Sequence, residues 1–265
     1  MQSFFKKLPR YSLRLLLAYL VYIFTGGVLA YLLPRQARNL PQTDSFYGIG
    51  RGPDRAVLVE DPQDAFARRV EVIRTAQSTL DVCYHCVKSG ETTECFFAEL
   101  LRAADRGVRV RVLLDGTVGG LSGARSNIAL ALRAHPNIEY RIYNPVDLLR
   151  PWEWNALLHD KFILADDRML LLGGRNIGDE YFAPPGYEGA VTYDRDVLVL
   201  NDLAGTPDSS ESVTAQAKIY MDTLWDAPET DKFGTLSPSR RADGLAAQEY
   251  LKETAARWEA AAPSF

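Results

Sequence analysis

The sequence predicts an α/β domain, with helices packed on a largely buried sheet and one apolar helix ahead of it. Three observations carry that expectation. From residue 56 onward, strand-like apolar runs alternate with segments of helical spacing. The 265 residues are 47% hydrophobic and 24% charged, enough to build a core and too apolar for general disorder. Residues 15–33 are nineteen consecutive positions without a charge.

That run comes first in the chain. At about 1.5 Å per residue it reaches about 28 Å, near the thickness of a bilayer's hydrocarbon layer. Lys6, Lys7, Arg10 and Arg14 precede it; Arg35 and Arg38 follow, with Arg51 further on. Tyr11, Tyr19, Tyr22 and Tyr31 lie in or beside it. A cleaved signal peptide has a shorter apolar region and a small-residue site, and Leu33-Pro34-Arg35-Gln36 is a poor one. A buried core helix is the weaker alternative for a run apolar on all faces. Residues 1–33 are therefore read as a transmembrane anchor. The excess of cations before it favours the main domain outside the cytoplasm, by a narrow margin. Residues 34–55, punctuated by Pro34, Pro41, Gly48, Gly50, Gly52 and Pro53, read as a linker.

Residues 56–60 predict a strand. Asp61-Pro62-Gln63-Asp64 is a helix start, with Asp as N-cap, Pro at the first helical position and an acid in the first turn. Phe66, Val70 and Ile73 continue that helix at spacings of four and three. Residues 79–87 predict the next strand. Thr92 or Thr93 opens a helix through Phe96, Phe97, Leu100 and Leu101, which Gly107 stops. Residues 108–114 alternate as a strand and end in Asp115-Gly116. A helix around 124–134, a break at Pro136-Asn137 and a strand over 138–143 follow. Short strands at 161–165 and 169–172 flank a turn at Asp166-Asp167-Arg168, then come a strand over 196–200 and a helix over 213–225. The domain is placed at 56–228, and 229–265 is read as a tail, partly helical with little apolar stripe.

One stretch carries chemistry. His159, Lys161 and Asp166 stand in the order H-x-K-x4-D, and Gly173, Gly174 and Asn176 follow. On a strand, positions 159 and 161 point from one face, so an imidazole and an ammonium converge, while Phe162 and Leu164 turn to the core. Two glycines without side chains let backbone and the Asn176 amide approach a ligand. Imidazole can attack phosphorus and split a hard displacement into two easier ones. Lys and Asn donors can neutralise the non-bridging oxygens as charge builds, so no metal or cofactor is called for.

These residues resemble the HKD motif of the phospholipase D superfamily. Residues 56–226 resemble one half, the N-terminal one, of a bacterial cardiolipin synthase. Val59-Glu60-Asp61-Pro62, Leu80-Asp81, Ala103-Ala104-Asp105-Arg106-Gly107-Val108-Arg109-Val110 and Gly173-Gly174-Arg175-Asn176-Ile177-Gly178-Asp179 carry the likeness. So does Tyr220-Met221-Asp222-Thr223-Leu224-Trp225. The resemblance implies a phospholipase D-like sandwich, a mixed β-sheet flanked by helices, in a bacterial cell membrane. It implies His159 as nucleophile, with Lys161 and Asn176 holding the phosphate. Asp194 matches the acid that orients the catalytic His, with Asp196 as the fallback. Asp166 completes the signature, with a structural role weighed equally. Gly173, Gly174 and Arg175 are expected at the substrate, a surface salt bridge being the alternative for Arg175. The implied reaction is phosphatidyl transfer from phosphatidylglycerol through a phosphohistidine, with hydrolysis when water is the acceptor.

The family's site needs two such motifs, and these residues hold one. Of three histidines, His85 lies in Cys83-Tyr84-His85-Cys86 and His135 precedes Pro136. The second motif is expected from a homodimer or a separate half-chain, the half-enzyme being favoured. A dimeric nuclease and an inactive half that needs a partner are the other readings. A net charge of −4 gives no whole-chain basic footprint, so no nucleic-acid partner is expected.

The remaining features are weaker. Cys83 and Cys86 are expected on opposite faces of a strand, which defeats zinc ligation with His85 and Cys95. Gly116, Gly119, Gly120 and Gly123 lack phosphate-loop spacing and read as an ordinary loop, with a flexible loop near the substrate mouth as the alternative. Trp152 and Trp154 are expected to pack on the domain, with a membrane-interface role as the alternative. Three cysteines exclude a disulfide scaffold.

Overall fold

A computed structural model gives the structure, and it describes residues 2–32 and 52–261. Most of the expected linker, Arg35, Arg38 and Arg51 lie outside the described residues, as do positions 262–265 of the tail. Two compact units result: residues 1–49 with 146–156, and residues 50–145 with 157–265.

In the first unit, α1 (Gln2–Leu32) contains a 19-residue stretch, Tyr11–Leu29, long and apolar enough to cross a membrane. A loop over 146–156 docks on it. The Tyr19 and Tyr22 hydroxyls donate to the carbonyls of Leu148 (2.8 Å) and Leu149 (2.7 Å). Trp152 sits edge-on to Tyr22 at 5.4 Å and against Gly26, where any side chain would collide with the indole. The loop satisfies its own polar groups: Trp154 Nε1 donates to the Asp147 carbonyl at 2.7 Å, and Arg150 pairs with Asp147 and Glu153.

The second unit is built on eight strands: β1 (Asp54–Val59), β2 (Thr79–Tyr84), β3 (Arg109–Asp115), β4 (Ile138–Tyr143), β5 (Lys161–Ala165), β6 (Met169–Gly173), β7 (Asp196–Asn201) and β8 (Thr230–Lys232). They form one sheet in the order β1-β7-β6-β5-β2-β3-β4-β8. β2, β3 and β4 run parallel, and every other pair is antiparallel. The helices are α2 (Pro62–Thr75), α3 (Glu91–Asp105), α4 (Ser126–Ala134), α5 (Asp179–Phe182), α6 (Val213–Trp225) and α7 (Pro238–Ala261).

Period-two alternation sorts the strand side chains into two cores. Val82, Tyr84, Ile163 and Leu171 face α2 and α3 with Phe66, Phe96 and Phe97. Cys83, Phe162, Leu164, Leu170 and Val199 face α6 with Met221 and Trp225. Burying one such large apolar side chain stabilises by about 1.5–3 kcal/mol. The expected helix start is in place: Asp61 Oδ1 accepts from Asp64 N at 2.8 Å, with Pro62 in the first turn. Gly107 stops α3 at φ 97°, a left-handed conformation that glycine adopts without strain. Asp166 and Asp167 both take φ 52°, as the tight turn between β5 and β6 requires.

Two expectations change. The second strand ends at Tyr84 rather than at 87, so Cys86 lies beyond it and the opposite-face argument does not apply to the cysteine pair. The segment read as a tail carries α7, whose Ala247, Leu251 and Ala255 are buried in the core with α3 and α4. Gln248 donates to the Ala131 carbonyl at 2.8 Å, and Trp258 meets Phe66 edge-on at 5.4 Å. Gly244 lies on Leu130 O and Ala134 Cβ, so α4 and α7 approach more closely than a side chain there would allow.

Candidate active site

The site forms where β2 and β3 end and β5 begins. Lys161 is the first residue of β5 and pairs with Tyr84, the last of β2. His159 precedes the strand and is exposed, whereas Lys161 is 7% exposed. Even so the two converge: Lys161 Nζ donates to the His159 carbonyl at 2.6 Å and lies 3.3 Å from its Nδ1. Burial lowers the Lys161 pKa, opposed by the carboxylates of Asp160 and Asp194.

A buried carboxylate holds the approach to His159. Asp115, at the end of β3, is fully buried. Its Oδ2 accepts from Leu158 N at 2.9 Å, and its Oδ1 accepts from Thr117 N and Val118 N, each at 2.9 Å. The Leu158 carbonyl meets His85 Nδ1 at 2.9 Å, and the His85 ring lies 4.5 Å from that of His159, tilted by 54°. Since a carbonyl only accepts, His85 carries its proton on Nδ1. Desolvation lowers the His85 pKa, against the Leu158 bond and Asp115; His159 and Lys161 lower it further. Gly119 runs under the His85 carbonyl, leaving no room for a Cβ, so the glycine loop walls the site.

Asn176 is buried beside the residues that follow β2. Its Oδ1 accepts from Cys86 N at 3.0 Å and its Nδ2 contacts the Tyr181 hydroxyl at 3.3 Å. A parallel bridge between Val87 and Ile177 fastens the two segments together. Gly173 and Gly174 have no space for side chains: a Cβ at Gly173 would collide with Asp196, and one at Gly174 with the Asp194 carboxylate. From α6, the Tyr220 hydroxyl donates to Asp160 Oδ2 at 2.8 Å.

Four expected site residues sit elsewhere or otherwise engaged. Asp166 lies at the far end of β5, where its oxygens accept from Gln77 N (2.7 Å), Ser78 N (2.8 Å) and Thr79 N (2.8 Å). That is a structural clamp on the entry to β2, not a place at the reacting atoms. Arg175 is fully buried and takes no substrate-facing position. It donates to Asp196 Oδ2 (3.0 Å) and to the carbonyls of Val59 (3.2 Å) and Glu60. Asp196 is enclosed between Arg175 and Arg69, each at 3.0 Å, and so is unavailable to His159. Asp194 lies over Gly174 and in the field of Lys161, and its Oδ1 accepts from Arg195 N at 2.8 Å. No hydrogen bond joins it to His159 among the described residues.

Sequence reasoning missed Asp115 and His85. A strand ending in Asp-Gly signals a turn, and only the fold shows that this Asp also reaches Leu158. His85 stands between two cysteines, and that pattern masks it in the sequence. Cys83 and Cys95 are buried free thiols and Cys86 is half-buried, with burial raising all three pKa values. Among the described residues no group of three ligand side chains is placed to hold a metal ion.

Residues 70–199 match the family model described as the cardiolipin synthase, phospholipase D-like domain. An uncharacterized protein of Helicobacter pylori is 40% identical over 138 residues, 48% of this chain and 27% of that protein. Cardiolipin synthase C of Escherichia coli is 39% identical over 152 residues, 54% of this chain and 31% of that enzyme. The chain thus spans about a third or less of the length of these relatives. Among solved structures, NucT from Helicobacter pylori superposes with a TM-score of 0.52 at 14% identity, over 68% of this chain and 99% of that one. Nuc from Salmonella typhimurium, a phospholipase D family member, gives 0.50 at 16%, over 69% and 99%. The phosphatidylserine synthase of Haemophilus influenzae gives 0.50 at 16%, over 76% and 44%. At these identities the structural likeness is one of fold.

Proposed function

The chain is a member of the phospholipase D superfamily, and on that premise we propose that it transfers phosphatidyl groups as a cardiolipin synthase-type domain anchored in a membrane by α1. The juxtaposition of Lys161 Nζ and His159 at the start of β5, within residues 70–199 that match the cardiolipin synthase, phospholipase D-like domain, carries the proposal.

In this reading His159 attacks the phosphorus of phosphatidylglycerol. The phosphorus–nitrogen bond forms, the phosphorus–oxygen bond to the head-group glycerol breaks, and the glycerol oxygen leaves with a proton supplied by the histidine of the second motif. Attack through Nε2 needs the imidazole proton on Nδ1, the nitrogen that now faces Lys161. Lys161 must therefore turn that donor to a phosphate oxygen as substrate binds, freeing Nδ1 for the proton. Its remaining bond to the His159 carbonyl keeps it in place. The Asn176 amide provides a further donor for the phosphoryl oxygens, while the glycines at 173 and 174 let Asp196 and Asp194 pack close to the strand end. A hydroxyl of a second phosphatidylglycerol then displaces His159 and gives cardiolipin; water in its place gives phosphatidic acid. A second motif comes from another copy of the chain or from a separate half-chain, across a shared interface.

The test uses the full chain in detergent micelles with head-group-labelled phosphatidylglycerol. Release of labelled glycerol together with cardiolipin, lost in His159→Ala, is the expected result. A folded chain that cleaves single-stranded DNA but releases no glycerol would replace the lipid reading with a nuclease one.

A further inference from the structure

We propose that His85 is the proton acceptor of the second half-reaction, the step in which an acceptor hydroxyl resolves the phosphohistidine. The inference rests on the phosphohistidine reading above and adds a role within this chain that H-x-K-x4-D does not contain.

Three features of the ring support it. Its Nδ1 is tied to the Leu158 carbonyl at 2.9 Å, which fixes the tautomer and leaves Nε2 with a lone pair. Among the described residues no group bonds to that Nε2. The ring stands 4.5 Å from the His159 ring, so a phosphoryl group carried on His159 lies within reach of a base at Nε2. The backbone around the ring is also anchored. Leu158 is anchored by the buried Asp115, whose Oδ2 lies 3.9 Å from His85 Nδ1, and Gly119 closes in beneath the His85 carbonyl.

The charged and titratable groups facing the ring are Asp115 at the end of β3, His159 ahead of β5 and Lys161 within it. Two of those three oppose a charge on His85, and burial does so more strongly, so the ring rests neutral and ready to accept. In the step itself, the acceptor O–H bond breaks and its proton passes to His85 Nε2. The acceptor oxygen bonds to phosphorus, and the phosphorus–nitrogen pair returns to the His159 ring. His85 then releases the proton to water. His85 touches the acceptor, whereas Asp115 is a positioning residue that acts through Leu158.

The experiment separates the two half-reactions with bis(p-nitrophenyl) phosphate as substrate for the full chain in detergent. Its leaving group departs without a proton, so formation of the intermediate needs no acid. His85→Asn keeps a donor for the Leu158 carbonyl and removes the base. The expected result is a burst of about one p-nitrophenolate per site in both proteins, and a steady-state rate about 100-fold or more lower in His85→Asn. Acid-labile phosphate should accumulate on the variant. Partial rescue by added imidazole should follow its own titration. Equal loss of burst and steady state in His85→Asn would make the residue structural and overturn the inference, as would an unchanged rate. Absence of a burst in the wild-type chain would instead overturn the phosphohistidine reading, and this inference with it.

Discussion

Replacing Asp166 separates the motif's chemistry from its architecture. Its two carboxylate oxygens accept three backbone N–H bonds, from Gln77, Ser78 and Thr79, and the residue itself sits at φ 52°. Asp166→Ala leaves three donors without that partner. Two are exposed enough for water to replace the carboxylate, and the bond at Thr79 is partly buried. Losing a capping acceptor costs about 0.5–2 kcal/mol, and alanine in a left-handed conformation adds about 1 kcal/mol. The expected loss is about 1.5–3 kcal/mol. Asp166→Asn tolerates the backbone angle and keeps Oδ1 for Ser78 and Thr79, so it should cost about 1 kcal/mol. Urea denaturation in detergent, followed by far-UV circular dichroism at unchanged m-value, reads both. The rate per folded molecule should stay within about twofold of wild type in both variants. A large fall in turnover with no loss of stability would refute the structural assignment and return Asp166 to the reacting centre.

Asp196→Asn leaves Arg69 and Arg175 facing each other in the core without a counter-charge, and should destabilise by about 3–5 kcal/mol, read from the denaturation midpoint. Gly244→Ala gains about 1 kcal/mol of helix propensity but drives a methyl into Leu130 O and Ala134 Cβ, so we expect a net loss; a rise in stability would show that α4 and α7 are not in such close contact. His85 makes stability depend on pH. Its folded pKa lies below the ordinary 6.5, so between those two values the unfolded chain binds more protons and stability rises with pH. His85→Asn should flatten that part of the stability profile, and an unchanged slope there would mean the acid sensitivity has another source.

Much of the fold is legible in the sequence because its signals are local. Asp61-Pro62 marks a helix start whether or not anything packs on it, and Gly107 marks a stop. The Asp166-Asp167 turn is likewise set by its own residues. What escapes is set by distant partners. The helix over Pro238–Ala261 buries alanines and a glutamine rather than a leucine stripe, so its hydrophobic pattern is faint, and its core role depends on Gly244 meeting α4. The site divides in the same way. His159 and Lys161 are found by their spacing, although His159 lies ahead of β5 and the two converge through the Lys161 bond to the His159 carbonyl rather than through a shared strand face. Arg175 and Asp166 look like substrate ligands in a line of letters. Only the fold shows that the two terminal nitrogens of Arg175 are buried on Asp196 and two carbonyls, and that the Asp166 carboxylate is taken by three amides. Asp115 lies 43 positions from the Leu158 amide it holds, beyond the reach of any local pattern.

The sheet changes direction beside His159. β2 has a parallel neighbour in β3 and an antiparallel one in β5, so the carboxyl ends of two strands and the amino end of a third open on one rim. The two kinds of end carry different duties. The incoming end of β5 supplies Lys161, directly after His159, while the outgoing ends of β2 and β3 supply His85, Asp115 and the glycine loop. The two sets meet at Leu158, whose amide Asp115 holds and whose carbonyl bonds to His85. On the proposed reading, a library aimed at acceptor choice belongs in the loops after β2 and β3 with Asp115 and His85 kept, since those two residues hold Leu158.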